Sequence, residues 1–194
     1  MTDLGHLDRE PLIVAIAGPN GAGKTTFYDS QLGLAAYRFL NADALAREFD
    51  VEPYLAARLA NELRHELVRR RESFVFETVF SDPVGDKLQF LKHAVAAGYT
   101  VVFCFIGLAD VRASSDRVAM RICQGGHDVP EEKLATRFPR ILTNLGKAVR
   151  ELPHVLIFDN TDLKRPFQQV AVFEQGRPVF LKEPPPAWLQ TALD

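Results

Sequence analysis

Gly18-Pro-Asn-Gly-Ala-Gly-Lys-Thr-Thr26 is the stretch from which the rest of this chain is read. It satisfies the pattern G-x-x-x-x-G-K-[ST] with Gly18, Gly23, Lys24 and Thr25. Before it runs Pro11-Leu-Ile-Val-Ala-Ile-Ala17, with the length and β-branching of a buried strand; after it, Thr26 to Leu34 can form a helix. Strand, glycine loop and helix are the setting in which this pattern denotes a phosphate-binding loop. The glycines let the backbone curl so that successive N–H groups face a phosphate chain, and the helix N-terminus adds partial positive charge. Gly18, Pro19, Asn20, Gly21, Ala22, Gly23, Lys24, Thr25 and Thr26 are therefore expected to cradle a nucleoside triphosphate, ATP or GTP. Lys24 is expected at the β- and γ-phosphates and the Thr25 hydroxyl on Mg²⁺.

A length of 194 residues suits one domain with a sizeable core, so 1–194 is expected to be a single unit. An apolar content of 47% and a charged content of 25% are ordinary for a globular chain. The net charge of −2 argues against nucleic acid as the main partner. Cys104 and Cys123 have no metal-ligand spacing, and Cys104 falls in an apolar strand pattern, as a small buried hydrophobe would. No apolar run reaches the ~18 residues of a membrane span. The N-terminal sequence lacks the layout of a signal peptide, so a reducing, cytoplasmic setting is expected.

Further strands are predicted at Tyr37–Asn41, Ser73–Thr78, Thr100–Ile106 and His154–Asp159. Helices are predicted after Asp43, which could cap the first of them, and over Pro53–Arg71, Asp86–Ala97, Asp110–Ile122 and Pro130–Leu152. Leu55, Leu59, Leu63 and Leu67 are expected on the buried face of the long helix, and Arg69-Arg-Arg-Glu72 at its solvated C-terminus. Pro139 is expected to kink or break the last helix, and Gln124-Gly-Gly-His-Asp-Val-Pro130 to form a turn with His127 as a turn or packing residue. A hairpin is expected at about 168–182, around Glu174-Gln-Gly-Arg177. Strands alternating with helices give an α/β fold with a mainly parallel five-stranded sheet.

In such sheets ligands sit at the carboxyl ends of the strands. That edge gathers the glycine loop with Asn41, Asp43, Glu77, Thr78, Asp159 and Asn160. Phosphoryl transfer to an alcohol needs a carboxylate to take or orient the hydroxyl, a metal, and cations for the developing charge. Asp43 is the candidate base. Glu77 is the candidate for Mg²⁺ through water or for a substrate hydroxyl, and could otherwise pair with an arginine. Arg117 and Arg121 share a helix face, and Arg137 and Arg140 follow the Gly125-Gly126 turn. This segment, about 110–140, could fold over bound nucleotide as a lid, while spacing alone leaves open which arginine acts. Arg112, Lys147 and Arg150 have the alternative of ordinary surface charge.

G-P-N-G-A-G-K-T-T, F-L-N-A-D-A-L-A, F-V-F-E-T-V-F-S and R-V-A-M-R-I-C-Q-G-G-H-D-V-P together resemble the zeta-toxin-like P-loop kinases, from about Leu12 to Asn160. The resemblance implies a P-loop nucleoside-triphosphate hydrolase/kinase fold. It also implies Lys24 and Thr25 on phosphate and Mg²⁺, Asp43 as base, Glu77 and Thr78 facing the substrate, and Arg121 and Arg137 as the lid arginines; beside these, Asn41 is expected on the substrate side and Arg117 at the nucleotide. Better known members phosphorylate a hydroxyl of UDP-N-acetylglucosamine and poison cell-wall synthesis, which implies a UDP-sugar acceptor and an antitoxin protein as partner. The chain is shorter than the larger toxins and resembles a compact, stand-alone branch, with no recognisable antitoxin-binding segment.

Three other readings use the same loop. A small-metabolite or antibiotic kinase differs only in its acceptor, and a non-catalytic nucleotide-binding module would tolerate loss of Asp43. An ABC-transporter ATPase needs an L-S-G-G-Q signature and an apolar strand ending in Asp-Glu. Gln124-Gly-Gly126 matches the first only superficially, and Leu156-Ile-Phe-Asp-Asn160 lacks the Glu of the second.

Overall fold

The computed structural model describes residues 9–32, 37–123 and 129–194. The strands are β1 (Leu12–Ala17), β2 (Arg38–Leu40), β3 (Phe74–Thr78), β4 (Thr100–Gly107), β5 (His154–Asp159), β6 (Gln168–Glu174) and β7 (Arg177–Leu181). The helices are α1 (Lys24–Phe27), α2 (Ala42–Glu48), α3 (Pro53–Arg69), α4 (Asp86–Ala96), α5 (Val111–Ile122), α6 (Glu131–Glu151) and α7 (Ala187–Leu193). One sheet runs β2-β3-β1-β4-β5-β6-β7. Its first five members are parallel, and β6 and β7 extend it antiparallel. The expected hairpin thus joins the main sheet. Its turn suits glycine, since Gln175 and Gly176 both have positive φ, at 50° and 74°.

Both sheet faces are covered, which explains why β1 and β4 read as unbroken apolar runs. Alternate residues Ile13, Ala15, Phe74, Phe76, Phe103 and Phe105 pack with Leu91, Ile141, Leu145 and Trp188, from α4, α6 and α7. Val14, Ile16, Val75, Val102 and Cys104 face the other way, towards Phe27 of α1. Burial pushes the Cys104 thiol up to about 12, consistent with the inert hydrophobe expected there. Among the described residues no helix is long and apolar enough to cross a membrane.

Several expectations need correction. The helix predicted over Thr26–Leu34 begins inside the motif at Lys24 and gives way to a π-helical turn at Tyr28–Leu32; residues 33 and 34 lie outside the described residues. Residues 124–128, including His127 and most of the predicted turn, also lie outside them. Pro139 does not break α6, which runs from Glu131 to Glu151 around it. The buried face of α3 is Ala56, Ala60, Arg64 and Leu67, while Leu55, Leu59 and Leu63 are exposed. A strict four-residue spacing drifts by about 40° per step, so it cannot keep one face over three steps. Alanines spaced the same way let α3 approach closely. At the exposed C-terminal end, where a solvated run of cations is expected, Arg69 and Arg70 both pair with Glu66.

The revised face of α3 predicts opposite effects for two leucines. Leu59→Gln should change unfolding free energy by under about 0.5 kcal/mol. Leu67→Ala should cost about 2–5 kcal/mol in urea titrations. Equal costs at both positions would contradict the burial seen here.

Candidate active site

The glycine loop leaves β1 hard against its neighbours. A Cβ on Gly18, whose φ is +144°, would sit 2.2 Å from the Ile106 carbonyl oxygen of β4. On Gly21, at φ +74°, it would meet the Arg117 Cβ at 2.7 Å. Only glycine fits these two positions. Side chains from outside the motif hold the loop's carbonyls. Ser114 Oγ donates to Asn20 O at 2.7 Å and Asn160 Nδ2 to Ala22 O at 2.8 Å.

Strand register then brings the acidic end of β3 to the loop, because Ile16 pairs with Glu77 and Ala17 with Thr78. Glu77 Oε2 accepts from Thr25 Oγ1 at 2.7 Å and from Asn41 Nδ2 at 2.9 Å. Its Oε1 lies 3.7 Å from Lys24 Nζ, which donates to Pro19 O at 2.9 Å. The partner of Glu77 is thus Lys24 rather than the arginine that its sequence position left open. Lys24 is 5% exposed. Desolvation pulls its pKa down, the charges of Glu77 and Asp43 pull it back up, and Arg121 adds to the lowering. Lys24, Glu77, Asp43 and Arg121 therefore share one electrostatic neighbourhood.

Asn41, not Asp43, caps α2, its Oδ1 accepting from the N–H groups of Asp43 and Ala44. Asp43 is left in the first turn, exposed on the wall of a cleft of about 980 Å³ that Asn41, Glu77 and Thr78 also line. Thr78 Oγ1 accepts from Phe80 N at 3.2 Å. Phe80 has a φ of +62°, uncommon for a bulky residue. The turn it begins is clamped by Asn144 of α6, whose Nδ2 donates to Phe80 O and Asp82 O, each at 3.0 Å.

The expected lid arginines divide between two places. Arg117 lies on the loop side, its Nη2 donating to Asn160 O at 2.7 Å and to Thr161 O at 3.1 Å. It borders a smaller cleft of about 560 Å³ with Gly23, Thr26, Asn160 and Phe167. Arg137 and Arg140 line the larger cleft instead. Arg112, Lys147 and Arg150 are exposed, as ordinary surface charge would be. Sequence reasoning missed Ser114 and Asn144 as positioning residues, Phe167 on the smaller cleft and Arg64 on the larger one. Arg64 alone gave a signal, a cation at helical spacing with Ala56 and Ala60.

No family model and no curated protein matches the sequence. Solved structures do. A chain of the AvrRxo1-ORF1:-ORF2 complex superposes with a TM-score of 0.71 at 15% identity, over 95% of this chain and 64% of that one. A second structure of that complex, with ATP, gives 0.67 at 16% identity over 91% and 62%. A chain from the PezAT chromosomal toxin–antitoxin system of Streptococcus pneumoniae gives 0.64 at 15% identity over 87% and 76%. A gluconokinase from Sinorhizobium meliloti gives 0.50 at 19% identity over 78% and 83%. The chain shares the α/β P-loop fold of these solved structures. It spans less than two thirds of the AvrRxo1 chains that it matches.

Within this fold the seat of the loop rests on Asn160. Asn160→Ala should leave the Ala22 carbonyl without its donor, at a cost of about 1–3 kcal/mol. Denaturant titration of the nucleotide-free protein measures this, and unchanged stability would show that the carbonyl finds another partner.

Proposed function

We propose that this chain is an ATP-dependent, Mg²⁺-requiring kinase that transfers the γ-phosphate to a hydroxyl of a small molecule. The observation that carries this reading is the Glu77 carboxylate. It is hydrogen-bonded to the motif hydroxyl of Thr25, close to the Lys24 ammonium, and on the wall of a cleft it shares with Asp43. Thr25 Oγ1 and Glu77 offer hard oxygen ligands side by side. Among the described residues no cluster of three His, Cys, Asp or Glu side chains could hold a metal. Mg²⁺ keeps waters and shares substrate phosphates rather than using a protein cage, so one hydroxyl and one carboxylate suit it. When bound it neutralises charge on the phosphates.

The chain's own residues have distinct parts in this scheme. The loop Gly18–Thr26 holds the triphosphate, and Arg117 borders the smaller cleft at the nucleoside end. Asp43 accepts the proton of the acceptor hydroxyl as that oxygen bonds to the γ-phosphorus and the bond to ADP breaks. Lys24 and Arg121 stabilise the charge on the transferring group. Asn41, Glu77 and Thr78 orient the acceptor in the larger cleft, with Arg137 on its far wall. The 110–140 region acts as a lid within a single domain spanning 1–194.

For the acceptor, the resemblance to zeta toxins favours a UDP-N-acetyl sugar; the likeness to a chain of the PezAT toxin–antitoxin system favours an antitoxin-type protein as regulator, with the cytoplasm as setting. The likeness to a gluconokinase favours a small polyol or sugar acid as the second reading.

The test is incubation with labelled ATP, Mg²⁺ and a panel of UDP-sugars and sugar acids, with mass spectrometry for a phosphorylated product. Wild type should form ADP and product together. Asp43→Asn should retain ATP binding while transfer falls by about 10² to 10⁴. Unchanged transfer in that variant, or hydrolysis independent of any acceptor, would contradict the reading.

A further inference from the structure

Arg64 is 6% exposed and lies on the wall of the larger cleft. Buried arginines are normally paired with an acid. Among the described residues, no carboxylate comes within ion-pair distance of Arg64, although Asp43, Glu62, Glu77, Asp82 and Asp86 line the same cleft. Its Nη2 donates to Asn61 Oδ1 at 2.8 Å, one turn back on α3, and its buried Nε has no acceptor. The guanidinium carbon lies 4.9 Å from the centre of the Phe76 ring and 5.8 Å from that of Phe90. Desolvation draws the pKa down to about 10, which still leaves the group charged at neutral pH. The rings fix the plane of the guanidinium and favour its charge, but they accept no conventional hydrogen bond.

A second charged group is also left unsatisfied here. Both carboxylate oxygens of Asp82 are buried without a donor. Asn144 holds the backbone carbonyls of Phe80 and Asp82, so the turn carrying this carboxylate is pinned from α6. Two opposite charges in one cleft, both short of partners and not paired to each other, are the mould of a ligand that carries both complements.

We infer that Arg64 is the docking point for an oxoanion on the acceptor, a phosphate or a carboxylate, and that Asp82 receives an O–H or N–H of the same molecule. A planar fork of N–H donors suits such a group. The inference rests on the larger cleft being the acceptor side. It narrows the acceptor to an anionic hydroxyl compound, because a neutral sugar or a polycationic antibiotic would leave Arg64 uncompensated.

The probes are inorganic phosphate and acetate, titrated separately into the full chain with labelled arginine. The chain carries Lys24→Ala, so that the glycine loop competes less for anion. The Arg64 Nε–H resonance, assigned by its absence from the Lys24→Ala/Arg64→Met double variant, should shift to saturation. A response to phosphate alone makes the acceptor group a phosphoryl, to acetate alone a carboxylate, and to both an oxoanion of either kind. In parallel, phosphate should raise the Tm of Lys24→Ala, and that rise should vanish in the double variant. The double variant without anion should melt no lower than Lys24→Ala, since methionine keeps the apolar stem and removes an unpaired buried charge. No saturable shift with either anion, or a double variant that melts lower while responding to phosphate as before, overturns the inference. No ATP or turnover is involved, so that failure would leave the kinase reading standing. Failure of phosphoryl transfer in wild type would leave the anion site standing.

Discussion

A carboxylate at the end of β3, held against the phosphate loop after β1, is the constraint on which the site depends. Glu77 accepts from Thr25 and Asn41 and lies within ion-pair distance of Lys24, so one side chain ties two segments far from β3 in sequence, the glycine loop and the residue before α2, to the end of that strand. Parallel pairing of β1 with β3 sets this meeting, since Ile16 opposite Glu77 places the acid two residues before Gly18. A slip of one residue would turn Glu77 to the other face of the sheet. Asn41 extends the link by capping α2 with its carbonyl oxygen while its amide donates to Glu77. The orientation of α2, and with it the position of Asp43, is thereby tied to the same carboxylate.

The electrostatics follow from burial. A lysine 5% exposed is stable as a cation only with nearby negative charge, which Glu77 and Asp43 provide against the cost of desolvation and the presence of Arg121. Glu77 and Asp43 also line the larger cleft, so under the proposed reaction donor phosphate and acceptor hydroxyl would meet where opposing charges already converge. Arg64 differs from Lys24 in one respect: its burial is matched by aromatic rings and Asn61 but by no acid among the described residues.

Much of this was legible in the sequence, for physical reasons. Strands buried on both faces are written as apolar runs, and a glycine loop between strand and helix has few meanings, so β1, β3, β4, β5 and the phosphate loop were readable. Glu77 and Asp43 stood out as acids closing or following apolar strands. Contacts between distant segments were not readable. Ser114 and Asn144 are ordinary polar residues within helices, and only packing shows that they hold backbone carbonyls of the loop and of the turn after β3. The α3 leucines misled because their four-residue spacing drifts off one face, and alanine gives too weak a signal to mark the true one. The capping residue of α2 was placed two residues late, since Asn41 and Asp43 both suit that role and only geometry separates them.

The most direct test of Glu77 as the join between loop and metal is calorimetry of ATP binding, with Mg²⁺ and with EDTA, for wild type and Glu77→Gln. Wild type should bind about tenfold or more tightly with Mg²⁺, a difference of roughly 1.4 kcal/mol or more. Glu77→Gln should bind with nearly the same affinity in both conditions. A metal dependence in Glu77→Gln equal to that of wild type would contradict the account.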